Sequence, residues 1–63
     1  MESPDDLMTT KEVAALLRVA PSTVVMFRRK GMLPSLKLGR AFFYRRGAVI
    51  EFIRTNEKVK AVI

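Results

Sequence analysis

The chain has 63 residues, enough for one small domain whose core supplies rarely more than roughly 3–5 kcal/mol of net stability. It contains neither cysteine nor histidine, which excludes a disulfide framework and the usual zinc chemistries and fits a reducing cytoplasm. Its formal net charge is +6, and four of its six acids (Glu2, Asp5, Asp6, Glu12) lie in the first twelve residues, so residues 13–63 hold eleven basic against two acidic groups. Between Glu12 and Glu51 no acid interrupts eight bases, Arg18, Arg28, Arg29, Lys30, Lys37, Arg40, Arg45 and Arg46, and such a face calls for a polyanionic partner. No apolar stretch approaches the roughly 18 residues that span a bilayer, and Met1–Asp6 is acidic where a signal peptide would be basic. A soluble, cytoplasmic protein with no membrane partner is expected.

In chain order, Met1–Met8 lacks periodicity and reads as a frayed leader without secondary structure, with residues 1–6 disordered ahead of a domain over residues 7–54. Thr9-Thr10-Lys11-Glu12 matches a capping box, and Val13, Leu16 and Leu17 give the spacing of a helix with one buried face, ending near Leu17 or Arg18. Arg18-Val19-Ala20-Pro21 then breaks the pattern, with proline suited to open a second helix. Two short helices joined by so tight a turn are a helix-turn-helix signature.

In the second helix Val24, Phe27 and the stem of Arg28 point toward the first, whereas Ser22, Val25, Met26 and Arg29 point away. Ser22 and Thr23 suit phosphate, Arg29 suits guanine, and Arg28 and Lys30 complete the candidate DNA-binding set. Val25 and Met26 offer no hydrogen bonds, which leaves thymine methyl groups or packing against a partner as their use. Gly31 supplies a left-handed stop.

Leu36-Lys37-Leu38, a Gly39-Arg40 turn and Phe42-Phe43-Tyr44 alternate as a hairpin. Leu36, Leu38, Phe42 and Tyr44 are expected on one face, with Phe43 on the other. A basic hairpin beside a helix-turn-helix is a wing, with Arg40 at its tip for the minor groove or its phosphates and Lys37, Gly39, Arg45 and Arg46 around it. Arg45 and Arg46 close the wing and open a third helix, whose Val49, Phe52 and Ile53 complete the core. Residues 55–63 either extend that helix or form an apolar handle. Phe43, Val59, Val62 and Ile63 are the candidate protein contacts. The fold expected is mainly α with a small β-hairpin, a winged helix-turn-helix.

No enzyme is expected. Ser22 or Ser35 would need a positioned base, histidine is absent, and Glu51 and Glu57 form no recognisable carboxylate pair. No catalytic residue, metal site, cofactor or small-molecule ligand is therefore assigned.

The ordered set Leu7-Met8-Thr9-Thr10-Lys11-Glu12-Val13-Ala14-Ala15-Leu16-Leu17, Pro21-Ser22-Thr23-Val24, Arg29-Lys30-Gly31-Met32-Leu33-Pro34 and Lys37-Leu38-Gly39-Arg40 resembles the excisionase-type, MerR-like winged-helix domain. The resemblance runs from about Leu7 to Ile53 and is nearest to phage excisionases, also called recombination directionality factors, of the mycobacteriophage kind. It implies a nucleoid-associated protein of a bacterial host cell. Several copies would bind neighbouring sites on double-stranded DNA, bend it, and help a tyrosine integrase assemble the excisive complex. Bending 20–30 base pairs by 40–90° costs on the order of 1–6 kcal/mol, a load suited to sharing among copies. By position, Ser22, Thr23, Arg28 and Arg29 would serve the recognition helix and Arg40 the wing.

The chain also departs from the family pattern. Where the recognition helix often reads threonine-valine-tyrosine-arginine-tryptophan, this one has Thr23-Val24-Val25-Met26-Phe27, which removes polar groups at two usual DNA-contacting positions. Ala20 stands where a serine cap is common, and Phe43 replaces a residue that is often arginine. Lower specificity and more reliance on DNA shape or neighbouring copies would follow. An AlpA/MerR-like transcriptional regulator would use the same surface, and a basic protein-interaction module is a second alternative.

Overall fold

The structure, a computed structural model, describes residues 5–61 and the side chains of residues 5–56. Its elements are β1 (Leu7–Thr9), α1 (Thr10–Leu17), α2 (Pro21–Arg29), β2 (Leu36–Leu38), β3 (Ala41–Arg45) and α3 (Arg46–Ala61). Three helices thus accompany a three-stranded antiparallel sheet of order β1-β3-β2, the winged helix-turn-helix architecture expected.

Helix α1 starts where the capping box predicts. The Thr9 hydroxyl accepts from the Glu12 amide at 3.1 Å, and the Glu12 carboxylate accepts from the Thr9 amide at 2.9 Å, so two amides that the first turn leaves unpaired are satisfied reciprocally. It ends with the Arg18 and Val19 amides donating to the carbonyls of Ala15 and Ala14 while Arg18 adopts φ +61°. That is the Schellman arrangement, in which a left-handed residue lets the chain double back onto the last turn.

Helix α2 opens on Pro21 behind Ala20, which provides no side-chain cap. Its end repeats the Schellman pattern: Gly31 takes φ +76°, its amide donates to Arg28, and the Met32 amide donates to Phe27 at 2.9 Å. The expected glycine stop is therefore realised.

The hairpin turn is the two residues Gly39-Arg40, with Gly39 at φ +65°, a glycine-first turn that suits the strand twist. So short a loop pairs Leu38 with Ala41, Lys37 with Phe42 and Leu36 with Phe43, and residues paired across strands share a face. This overturns the expected face of Leu36 and Leu38 and keeps that of Phe42, Tyr44 and Phe43. Leu36 and Leu38 lie with Phe43 on the outer side, while Phe42 and Tyr44 alternate onto the inner one. The exposure agrees, since Leu38 is 52% exposed and Tyr44 is fully buried.

Strand β1 is a second correction. The aperiodic stretch before Thr9 was expected to stay outside the secondary structure, yet Leu7, Met8 and Thr9 pair with Arg45, Tyr44 and Phe43, and the Arg46 amide donates to the Asp6 carbonyl at 2.8 Å. Three residues are too few to display a period of two, and the partner strand lies far along the chain. Met8 is buried against the core as a result.

That core consists of Met8, Val13, Ala14, Val24, Leu33, Tyr44 and Val49, with Leu17, Val19, Phe27, Phe42, Phe52 and Ile53 packed around it. Val13, Val24 and Val49 fall where the periodicity put them, and the rings of Phe27 and Phe52 lie 5.0 Å apart. Leu16, expected in the stripe, is 42% exposed, and Ala14 takes its place. In a helix of eight residues the buried arc centres on Val13, Ala14 and Leu17, the side on which α1 meets α2 and the sheet. Leu33, read as part of an exit loop, is 1% exposed and belongs to the buried core.

Candidate nucleic-acid interface

The outward face of α2 is the centre of the site. Ser22, Val25, Met26, Arg29 and Lys30 line a shallow concavity of about 520 Å³, bringing together five of the seven α2 residues singled out from the sequence. Four of them follow the i, i+3, i+4, i+7 spacing of one helix stripe. Met26 is 42% exposed and Val25 half-buried, so the stripe has an apolar centre with a hydroxyl at its start and two cations at its end. Thr23 is half-buried, and its amide is bonded to Ala20 at 2.9 Å.

Arg28 lies apart from this stripe. Its guanidinium carbon sits 3.7 Å from the centroid of the Phe42 ring, a cation–π stack, and its Nε is buried without a hydrogen-bond partner among the described residues. Phe42 belongs to β3, so the arginine ties α2 to the wing. Lys37 from β2 reaches the same ring, with its Nζ 5.7 Å from the centroid. The sequence showed Arg28 as a cation on an inward-leaning stem and put Phe42 on the inner face. That the two meet depends on how α2 packs against β3, which local periodicity does not report.

The wing presents Gly39 and Arg40, both exposed, at its tip, with Lys37 exposed along β2. Arg45 closes β3, with its guanidinium 3.9 Å from the Asp5 carboxylate; between groups this exposed such an ion pair is worth little. Arg46 opens α3 and is half-buried. Phe43 is half-buried on the outer sheet face, paired with Thr9 on one side and Leu36 on the other. Val59, Val62 and Ile63 lie outside the residues whose side chains are described. Leu7, at 43% exposed, joins this outer face through strand β1, which periodicity gave no means of finding.

No cluster of acidic, histidine or cysteine side chains suited to a metal occurs among the described residues, and no described helix is long and apolar enough to cross a membrane.

Comparison with known proteins agrees with this geometry. The family described as "Helix-turn-helix domain" matches residues 7–57. The chain belongs to that helix-turn-helix family. It is also 36% identical over 55 residues to two Mycobacterium tuberculosis proteins, "Putative DNA-binding protein MT0521" of strain CDC 1551 / Oshkosh and "Putative DNA-binding protein Rv0500A" of strain ATCC 25618 / H37Rv. Each alignment covers 87% of this chain and 70% of the relative. The family match begins at Leu7, the first residue of β1, so the strand and both helices of the motif lie inside it.

Proposed function

We propose that this chain is a non-enzymatic, double-stranded-DNA-binding protein of the excisionase type. Copies of it bind neighbouring sites cooperatively, bend the DNA and direct a tyrosine integrase toward excision. The observation that carries the reading is the acid-free cationic run from Val13 to Ile50, laid out on a helix-turn-helix with its wing. Helix α2 enters the major groove with Ser22, Val25, Met26, Arg29 and Lys30 toward the bases and phosphates, and Arg40 reaches the minor groove or its backbone. The names of the two mycobacterial relatives support DNA as the ligand. The outer sheet face, where Leu7, Leu36, Leu38 and Phe43 gather around exposed backbone edges, supports contact between adjacent copies.

Selection of bound duplexes from a random pool, with footprinting of the winners at rising protein concentration, tests the reading. Direct repeats at regular spacing, filled cooperatively, are expected. An inverted repeat filled as one unit would replace the excisionase with a dimeric regulator, and failure to retain any duplex at low salt would leave a protein-interaction module. On the enriched duplex, Arg40→Ala is expected to weaken binding and lower the salt slope by about one unit. An unchanged slope would remove the wing from the interface.

A further inference from the structure

Val25 and Met26 form an apolar centre in a stripe that otherwise presents Ser22, Arg29 and Lys30 to solvent. They are not borrowed from the core, because the buried side of α2 is built from Val24 and Phe27, with Arg28 stacked on Phe42. Resting on the reading of α2 as the major-groove helix, we propose that Val25 and Met26 are specificity-determining residues. They recognise the 5-methyl group of a pyrimidine, with Arg29 taking a guanine one or two base pairs further on.

The argument is one of chemical matching. The major-groove edges of adenine, guanine and cytosine present donors and acceptors, and the C5 methyl of thymine is the one apolar group there. A polar edge pressed against Val25 and Met26 would lose water and gain no hydrogen bond, whereas a methyl group would lose only apolar hydration. The cations at the end of the stripe fix which way the helix faces: Lys30 suits a phosphate, and Arg29 has the planar fork that matches guanine O6 and N7. Arg29 follows Val25 and Met26 by four and three residues, about 5 Å along the helix axis, a step comparable with the spacing of one to two base pairs. The loss of polar groups at these two helix positions is, on this view, an exchange of hydrogen-bond readout for methyl readout. 5-Methylcytosine offers the same group as thymine, so the ligand is defined by the methyl and two bases carry it.

The test compares random duplex pools synthesised with thymidine or with deoxyuridine, which differs from it only by that methyl. Wild-type protein is expected to enrich sites with thymine at a fixed position near guanine. Replacing that thymine with deoxyuridine should weaken binding about fourfold for each contacted methyl. The double variant V25S/M26Q is expected to bind both forms alike. Equal binding of the two forms by wild type, enrichment without a fixed thymine, or no enrichment at all would each overturn the proposal. So would a deoxyuridine penalty that persists in V25S/M26Q, since it would then arise from DNA shape. If no duplex binds even at low salt, the DNA reading itself fails, a result distinct from loss of methyl discrimination. Placing a C·G pair at the fixed position and methylating its cytosine separates the two sources. A matching gain supports the methyl as the ligand, and no gain overturns the methylcytosine half and leaves thymine alone. This arm uses wild-type protein only and does not depend on the folding of the variant.

Discussion

Helices α1 and α2 pack against each other across the three-residue turn Arg18–Ala20 and end in the same hydrogen-bond pattern, yet each is well finished at one end only. Helix α1 begins in a complete capping box and ends on Arg18, a residue with a Cβ held at φ +61°. Helix α2 begins behind Ala20 with no side-chain cap and ends on Gly31, which adopts the left-handed region freely. Both poorly matched termini therefore fall in the one turn that sets the angle between the helices. The turn's own residues do not favour its shape. It is held from outside, by Val19 packed on the core and by Val13 and Ala14 against Val24, so tertiary packing overrides local preference where the motif is defined.

Substitutions at the four termini sharpen this contrast. The largest effect is expected from Thr9→Ala, which removes the cap of α1 and a strand-favouring residue of β1 and should cost about 1.5 kcal/mol. A domain of this size would then melt roughly 6–12 °C lower; a change under about 2 °C would show that α1 does not depend on its capping box. Gly31→Ala should cost about 1 kcal/mol. A Cβ there meets nothing within 4 Å, so the whole effect is conformational, and a loss several times larger in urea unfolding would point to a clash the backbone does not show.

The reverse changes are expected to stabilise. Arg18→Gly relieves the left-handed penalty but adds freedom to the unfolded chain, for a net gain of about 0.7 kcal/mol. A loss of stability would mean that the arginine side chain makes a contact worth more than the strain. Ala20→Ser should supply the missing cap and add about 0.5 kcal/mol. If the urea midpoint does not move, Pro21 has already fixed the start of α2 and the cap is redundant. Combining the last two substitutions tests the comparison itself, since neighbours in one turn that is held from outside should add their gains only in part.

What could be read in advance follows the same division between local and distant causes. Thr9 and Glu12, Pro21, Gly31 and the Gly39-Arg40 turn each act on residues three or four positions away, and all were legible. The exposure of Leu16, the burial of Leu33 and the strand Leu7–Thr9 depend on what arrives from elsewhere in the chain, and no local spacing announced them. The faces of Leu36 and Leu38 failed for a geometric reason: a two-residue loop pairs Leu36 with Phe43, and a parity error of one residue moves every side chain of that strand to the opposite side, while the faces of Phe42, Phe43 and Tyr44 were read correctly. Among the site residues, the stripe Ser22, Val25, Met26 and Arg29 follows from helical period and was found. The placement of Arg28 on Phe42 needed the tertiary approach of α2 to β3, which no local spacing announces.

That stack gives the molecule the character of a calliper. Arg28 grips the wing through Phe42, so the opening between the helix and the hairpin tip is set before any duplex arrives. With α2 and the wing in neighbouring grooves, as proposed above, such an instrument would measure the distance between them and reject a duplex whose grooves are spaced wrongly, whatever bases line them.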